Sequence, residues 1–315
     1  MKPSPPRPPV AAHVEPGGVR PHAADMAAVV SATATLGDVQ DRLAAVEPRG
    51  QWLPIDGDPE AAVSELVEHD SGGPLRLGYG GWRDRLTGVQ LLDGDGNRIT
   101  AGGLPVKNVA GYDLARFAVG AHGCFGRVET IVVRTALRPE AALHVDLPIA
   151  AGELTATVNR LLVSDAPPQW MLCRDGVLRC GWLGDAADLD ALAPAIRADV
   201  GIAATRQTLD DDDEARAVSR SPARAFVPPA RIGGLLEQLT AAHEADLWAD
   251  PVHGVIYLPG AEAAASLIAE VGGHAVAIAD GAVRVWSADK PPSVLMSLKA
   301  RLDPDAKLPA LPTYA

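Results

Sequence analysis

The sequence predicts an α+β protein in two parts, on three observations. Helical and strand-like apolar patterns alternate along the chain with short links, as expected for helices layered on a mainly antiparallel sheet. Residues 102–128 hold six glycines, Gly102, Gly103, Gly111, Gly120, Gly123 and Gly126, interleaved with apolar residues. The character of the chain then changes at Arg138-Pro139-Glu140, and a second pattern of helices and strands follows. At 315 residues the chain is long enough for two cores.

Taken in order, residues 1–20 are proline-rich and predict a disordered tail. Ala27–Ala34 reads as a strand. Val39–Val46 reads as a helix, with Val39, Leu43 and Val46 on one face. Gly50–Pro54 is a loop or short strand, and Asp58–His69 a helix with Pro59 early in it. Ser71–Gly81 is a glycine-rich loop. Leu86–Leu92 and Arg98–Ala101 flank Asp93-Gly94-Asp95-Gly96-Asn97 as a hairpin. That turn looks like the start of a calcium loop, but the closing glutamate is missing and the flanks are strands, which excludes calcium. Leu114–Val119 suits a short helix and Val128–Ala136 a strand.

The second part reads as strand Ala142–Leu147, helix Gly152–Val163, strands Gln169–Cys173 and Val177–Trp182, helix Ala187–Val200 and a further strand. After the polar stretch Asp210–Arg224 come strand Ala225–Val227, helix Arg231–His243, and strands Asp246–Asp250 and Val255–Tyr257. Helix Ala261–Val271, strands Ala275–Ile278 and Ala282–Trp286, and helix Pro292–Leu302 complete the pattern. No short-period repeat is visible. The domain plan is a tail over 1–20, a first domain over 21–140, a second over 141–288, and a C-terminal helix and tail over 289–315.

Composition narrows the function classes. Net charge is −12 and no block of Lys or Arg offsets it, which argues against nucleic acid or an anionic membrane as partner. The three cysteines, Cys124, Cys173 and Cys180, form no CxxC pair, so no zinc or iron–sulfur pattern exists and a reducing compartment is expected. No apolar run approaches the ~20 residues of a spanning helix. The N-terminal residues carry no signal-peptide pattern. The expectation is a cytoplasmic protein that reaches a membrane only through partner subunits. Asp210-Asp211-Asp212-Asp213-Glu214 is read as a solvated loop, because consecutive carboxylates repel rather than converge on a cation.

Glycine loses the most freedom on folding, so the run at 102–128 needs a reason. Tight φ > 0 turns are one reason; a backbone that must approach a flat cofactor or a phosphate is the other. Spacing alone leaves both open.

The strings GQWLPIDGDP, SGGPLRLGYGGWRD, GVQLLDGDGNRITAGG, VKNVAGYDL and VGAHGCFGRVETIVVRT resemble the FAD-binding family of the vanillyl-alcohol oxidase / p-cresol methylhydroxylase (PCMH) type. Within it they are most similar to the E-subunit branch of bacterial glycolate oxidase. The resemblance covers about a third of the chain well and the second part more weakly. It implies a PCMH-type FAD-binding domain followed by a ferredoxin-like α+β cap domain. It also implies FAD as cofactor and hydride transfer from a short 2-hydroxy acid to the flavin. Ser71, Gly72 and Gly73 match the loop that brings backbone N–H groups toward the flavin or its pyrophosphate, and Gly78, Tyr79, Gly80 and Asp84 continue that wall. Gly111, Tyr112 and Asp113 match the turn near the ring system. Gly123, Gly126 and Val128 match the last cofactor strand. Unhindered amides of this kind can form a small anion nest, while the flavin supplies the redox chemistry.

The sequence departs from the family in two places. The pattern starts near Arg20–Met26, preceded only by Gly17-Gly18, so a partial FAD domain is expected, the second lobe without the first. The family's H-x-G-D-G-N-x-H string is replaced by Val252-His253-Gly254. His253 is the candidate catalytic base; the alternative is a hydrogen-bonded packing histidine. Asp303-Pro304-Asp305 is what survives of a C-terminal signature. Lys107 is either a phosphate partner or a surface cation. Arg76 and Arg83 either read a substrate carboxylate or a phosphate or hold Asp84 or Asp93. Trp52, Trp82, Tyr79 and Tyr112 either stack on a ring or anchor the core. Cys124 reads as a small buried residue rather than a flavin attachment point.

Two functions follow as expectations. One is a FAD-linked oxidoreductase subunit acting on a glycolate- or lactate-type acid and passing electrons to flavoprotein and iron–sulfur partner subunits. The other is a non-catalytic assembly subunit that retains a degenerate flavin domain. No metal site is expected.

Overall fold

The structure is a computed structural model describing residues 14–104, 113–202, 204–207, 218, 220–243, 247–279, 282–286 and 293–314. These residues form two units. The first takes the chain up to Gly72, then Gly80–Arg138 and Ser293–Ala310. The second takes Gly73–Tyr79, the long segment from Pro139, and the chain from Leu311.

The first unit is built on an antiparallel sheet of β1 (Val19–His22), β2 (Ala27–Ser31), β4 (Leu86–Leu92), β5 (Arg98–Gly102) and β6 (Arg127–Arg134), in the order β1-β2-β6-β4-β5. A small pair, β3 (Gln51–Trp52) with β7 (Ala136–Leu137), stands apart from it. Helices α1 (Leu36–Ala44), α2 (Val63–Glu68), α4 (Trp82–Arg85), α5 (Leu114–Ala118) and α10 (Ser293–Leu302) belong to the same unit. Its core joins Val30 of β2, Val89 and Leu91 of β4, and Ile131 and Val133 of β6 to Val39 and Leu43 of α1 and Val63 and Val67 of α2. The helical spacing of Val39 and Leu43 is what brings α1 onto the sheet.

α1 starts at Leu36 rather than at Val39 because Thr35 closes a capping box. Its hydroxyl accepts the Asp38 N–H at 3.1 Å, while the Asp38 carboxylate accepts the Thr35 N–H at 3.1 Å. Thr35→Ala is expected to cost about 1 kcal/mol, read in thermal melting as a Tm decrease of roughly 2–4 °C. Two boundaries differ from the sequence reading. α2 begins at Val63, since Asp58–Ala61 makes a turn whose carbonyls receive the first N–H groups of α1: Gly37 donates to Pro59 and Leu36 to Ala61. The tail ends earlier than residue 20, because Val19 and Arg20 pair with Val30 and Val29 in the sheet.

The second unit carries a ten-stranded sheet in the order β11-β8-β10-β9-β13-β14-β12-β15-β16-β17. Its first half runs β8 (Ala141–Pro148), α6 (Leu154–Leu162), β9 (Trp170–Arg174), β10 (Val177–Gly184), α7 (Ala186–Val200) and β11 (Thr205–Gln207). The second half runs β12 (Ala223–Phe226), α8 (Ile232–His243), β13 (Trp248–Asp250), β14 (Val255–Leu258), α9 (Ala265–Glu270) and β15 (His274–Ala279). Both halves are βαββαβ, and in each the strands lie fourth, first, third, second across the sheet. The expected ferredoxin-like pattern is therefore present twice, joined edge to edge where Ala249 of β13 faces Cys173 of β9. β16 (Ala282–Trp286) extends the second half, and β17 (Thr313–Tyr314) adds to it in parallel. Helices of both halves share one core, with Leu154, Val158 and Leu161 of α6 beside Ile232, Leu235 and Leu239 of α8. The short α3 (Arg76–Tyr79) also packs in this unit, against β9.

The segment read as a C-terminal helix and tail divides. α10 completes the first unit and β17 the second. The cluster Asp210–Glu214 lies outside the described residues. Among those described, no helix is long and apolar enough to cross a membrane, and no group of three His, Cys, Asp or Glu side chains is close enough to hold a metal ion.

Candidate functional site

Gly111 and Tyr112, like Lys107, lie outside the described residues. The part of the glycine run from Gly120 onward folds against the end of α2, while Gly102 ends β5. The Gly120 N–H donates to the Val67 carbonyl at 3.0 Å and the His122 N–H to the Glu68 carbonyl at 2.9 Å. Gly123 has φ +68° and Gly126 φ +153°, conformations that side-chain-bearing residues rarely adopt. Turn geometry thus accounts for the identity of both residues.

The space beside Gly123 is taken by a carboxylate. A Cβ built on Gly123 would stand 3.2 Å from Glu68 Oε2. Glu68 Oε1 accepts the Val128 N–H at 3.2 Å. Burial pushes the Glu68 carboxyl above its ordinary value; the Val128 N–H opposes this, the nearby Glu65 charge adds to it, and Arg127 counters it. The rings of His69 and His122 lie with their centroids 5.2 Å apart. A carboxyl whose folded value exceeds its unfolded one holds more protons when folded, so stability falls as pH rises through that window. Glu68→Gln keeps an acceptor and removes the charge. It is expected to raise Tm at neutral pH, with the gain vanishing as pH falls below 4.5, the ordinary value of this carboxyl.

The other side of the run is held by the C-terminal segment. Lys299 on α10 donates to the Cys124 carbonyl at 2.9 Å, to the Pro309 carbonyl at 2.8 Å and to Asp303 Oδ2 at 2.6 Å. The Asp303 side chain is fully buried and also accepts the N–H groups of Lys307 at 2.7 Å and Leu308 at 3.0 Å. Burial works to raise the Asp303 carboxyl, but the Lys299 ammonium and the two N–H groups hold it below the usual range. A Cβ on Gly94 would overlap Asp303 Oδ1, so the β4–β5 turn also closes on this carboxylate. The Cys124 thiol donates to the Ala310 carbonyl at 3.0 Å, and burial pushes it up against the pull of Lys299.

The other sequence-derived residues sit as follows. The Ser71 carbonyl accepts the indole N–H of the buried Trp82 at 2.6 Å, and the Gly72 carbonyl accepts the Asp56 N–H at 3.4 Å. Trp82 is therefore a core anchor. Gly73, with φ +58°, and Gly78 fall in the second unit. Gly78 lies against Gln169, whose Cβ would be 2.8 Å from an added methyl, so close packing on β9 accounts for this glycine. Arg83 donates to the Val119 carbonyl, 36 residues away, at 3.3 Å, and ties α4 to the end of α5; Asp84 accepts the Gly81 N–H at 3.0 Å and closes a local turn.

In the second unit, His253 lies in the β13–β14 turn, and its Nδ1 is 2.7 Å from Oδ2 of Asp250. Asp250 is 1% exposed, and its other oxygen accepts the N–H groups of Val252 and His253, each at 3.0 Å. A carboxylate on Nδ1 fixes the tautomer that leaves Nε2 as the acceptor. Sequence reading missed Asp250, Glu68 and Lys299. The i,i+3 spacing of Asp250 and His253 and the i,i+4 spacing of Lys299 and Asp303 were the local signals available; Glu68 gave none, since its partner lies 60 residues away.

No family model matches the chain. It is 33% identical over 138 residues to the glycolate oxidase subunit GlcE of Escherichia coli strain K12, covering 43% of this chain and 39% of that protein. It is 34% identical over 130 residues to the glycolate oxidase subunit GlcD of Bacillus subtilis strain 168, covering 39% and 28%. The chain thus spans well under half the length of these relatives. Among solved structures, an alkyldihydroxyacetonephosphate synthase superposes with a TM-score of 0.66 at 12% identity, over 91% of this chain and 64% of the other. The Acremonium strictum glucooligosaccharide oxidase gives 0.52 at 14%, over 73% and 54%. The chain is a homologue of the glycolate oxidase subunits and of FAD-linked oxidoreductases, with the PCMH-type α+β fold.

Proposed function

We propose that the chain is a FAD-linked oxidoreductase subunit, working in a multi-subunit oxidase, that converts a short 2-hydroxy acid of the glycolate or lactate type to its 2-oxo acid. The observation that carries this reading is the identity with two glycolate oxidase subunits. FAD, when bound, supplies the two-electron acceptor. Ser71, Gly72, Gly73, Gly78, Gly111, Tyr112, Gly123, Gly126 and Val128 are the residues proposed to line it. His253 is the proposed proton acceptor, with Asp250 holding its ring. An iron–sulfur partner subunit is proposed to take the electrons on, and a cytoplasmic site of action, peripheral to a membrane through those partners, belongs to the same proposal.

The described part of the glycine wall fits a dinucleotide poorly as it stands. The amides of Gly120, His122, Cys124 and Gly126 are bonded to carbonyls of the chain, and that of Val128 to Glu68. An anion nest needs such amides unclaimed. This favours, as a second reading, an assembly subunit with a degenerate flavin domain.

The deciding experiment is a visible spectrum of the purified chain, a FAD titration, and then addition of glycolate or lactate. Bound flavin that bleaches with either acid supports the first reading. Flavin retained without bleaching rejects the substrate. A colourless chain that takes up no FAD rejects catalysis by this chain and leaves the assembly role.

A further inference from the structure

We propose that Glu68 is a built-in occupant of the glycine wall, and that a flavin dinucleotide engages this wall only when the Glu68 carboxylate leaves it. The inference rests on the FAD reading above and adds to it a self-competing group.

The geometry is that of a ligand supplied by the chain. One carboxylate oxygen takes the Val128 N–H at the start of β6, and the other fills the space that Gly123 leaves by having no side chain. The carbonyl of the same residue takes the His122 N–H, so Glu68 bonds the run through backbone and side chain together. A carboxylate accepting an amide makes a charge-assisted bond, about twice as strong as a neutral one. A dinucleotide offering an oxygen or ring nitrogen to the Val128 amide must first break it.

Charge works in the same direction. FAD carries two phosphate anions, which the carboxylates Glu65 and Asp70 oppose and which Arg127 alone of the groups with a charge effect on Glu68 would favour. Glu65 lies on the same helix and Asp70 just beyond its end. His69 and His122 pair their rings, Arg127 begins the next strand, and Lys299, across Cys124, is already bonded to Asp303. Partial burial of the carboxylate with a like charge nearby makes the plug removable, because the charged form is held at a cost.

Equilibrium titration with FAD, followed by flavin fluorescence, tests this on wild type, Glu68→Ala and Glu68→Gln. The alanine variant is expected to bind FAD roughly tenfold tighter or more, the scale of one hydrogen bond to a charged group. The glutamine variant, which keeps the plug but not its charge, should fall between. The first two arms of a second readout need no bound flavin. Hydrogen exchange at the Val128 amide is expected to be slow in wild type, fast in Glu68→Ala, and slow again when FAD is added to Glu68→Ala. If Glu68→Ala binds FAD no tighter than a wild type that does bind, the plug is overturned and the FAD reading stands. If neither binds while circular dichroism shows both folded, the FAD reading falls and the plug with it. If Glu68→Ala does not fold, Glu68→Gln decides: affinity equal to or weaker than wild type overturns the proposal.

Discussion

Lys299→Met will lower the melting temperature by about 10 °C. Lys299 is 14% exposed in its side chain, and its ammonium joins three parts of the first unit: α10 through Asp303, the run through the Cys124 carbonyl, and the C-terminal segment through the Pro309 carbonyl. Methionine fills much of the same volume but leaves the Asp303 carboxylate buried without its cation. An unpaired buried charge costs far more than the pair is worth as a pair. The effect has a pH signature. The Asp303 carboxyl is held below its ordinary 3.8, so its contribution is present above that value and is lost as pH falls through the folded one. The gap between wild type and variant should therefore be full at neutral pH and narrow below about pH 4, as followed by calorimetry. Lys307→Met is the control. Lys307 pairs with Asp305 at 2.9 Å and Asp95 at 3.4 Å, but its side chain is 52% exposed, and surface pairs contribute little. An equal loss in both variants would show that the position of Lys299 has no special weight.

Gly254→Ala is the second large effect, in the second unit. Gly254 closes the β13–β14 turn at φ +69°, and its carbonyl receives the Val227 N–H at 2.8 Å. An added Cβ would overlap the Val227 carbonyl oxygen, which is backbone and cannot swing aside. Left-handed strain and this overlap together should cost about 2–5 kcal/mol, measured by urea unfolding. Gly272→Ala separates the two causes. It has φ +77° with nothing within 4 Å of the added carbon, so it reports strain alone, about 1–2 kcal/mol. Equal losses in the two variants would remove the steric argument. His253 precedes Gly254, so the same change is expected to disturb its bond to Asp250, visible as altered imidazole resonances.

Much of this fold was legible because burial follows local pattern. The turn signal after Leu86–Leu92 and the helical spacing of Val39 and Leu43 are properties of a few consecutive residues; the strand stands where it was expected and the helix begins three residues earlier. Helix α2 was misread at its start since the carbonyls of Pro59 and Ala61 serve another helix, a tertiary demand that helix propensity does not carry. Helices α3 and α4 were hidden in a glycine-rich stretch; the burial of Trp82 and its bond to Ser71 hold that region in place. The doubled ferredoxin-like pattern was invisible for a different reason. Its halves share strand order and helix placement, which need apolar residues at matching places and no matching letters. In the candidate site, sequence picked out glycines, whose backbone angles are encoded one residue at a time. It did not pick out Glu68, whose partner is 60 residues distant, or Lys299, whose bond to Asp303 is local but whose bond to Cys124 spans 175 residues.

That last separation bears on how the protein is made. A chain leaves the ribosome from its N-terminus, and domains generally fold as they emerge. Cys124 and its neighbours are released long before Lys299 exists, and the whole duplicated sheet is synthesised in between. The first unit to begin folding is therefore finished only after strands β8 to β16 of the second have been made, and its glycine run remains unlatched throughout that interval.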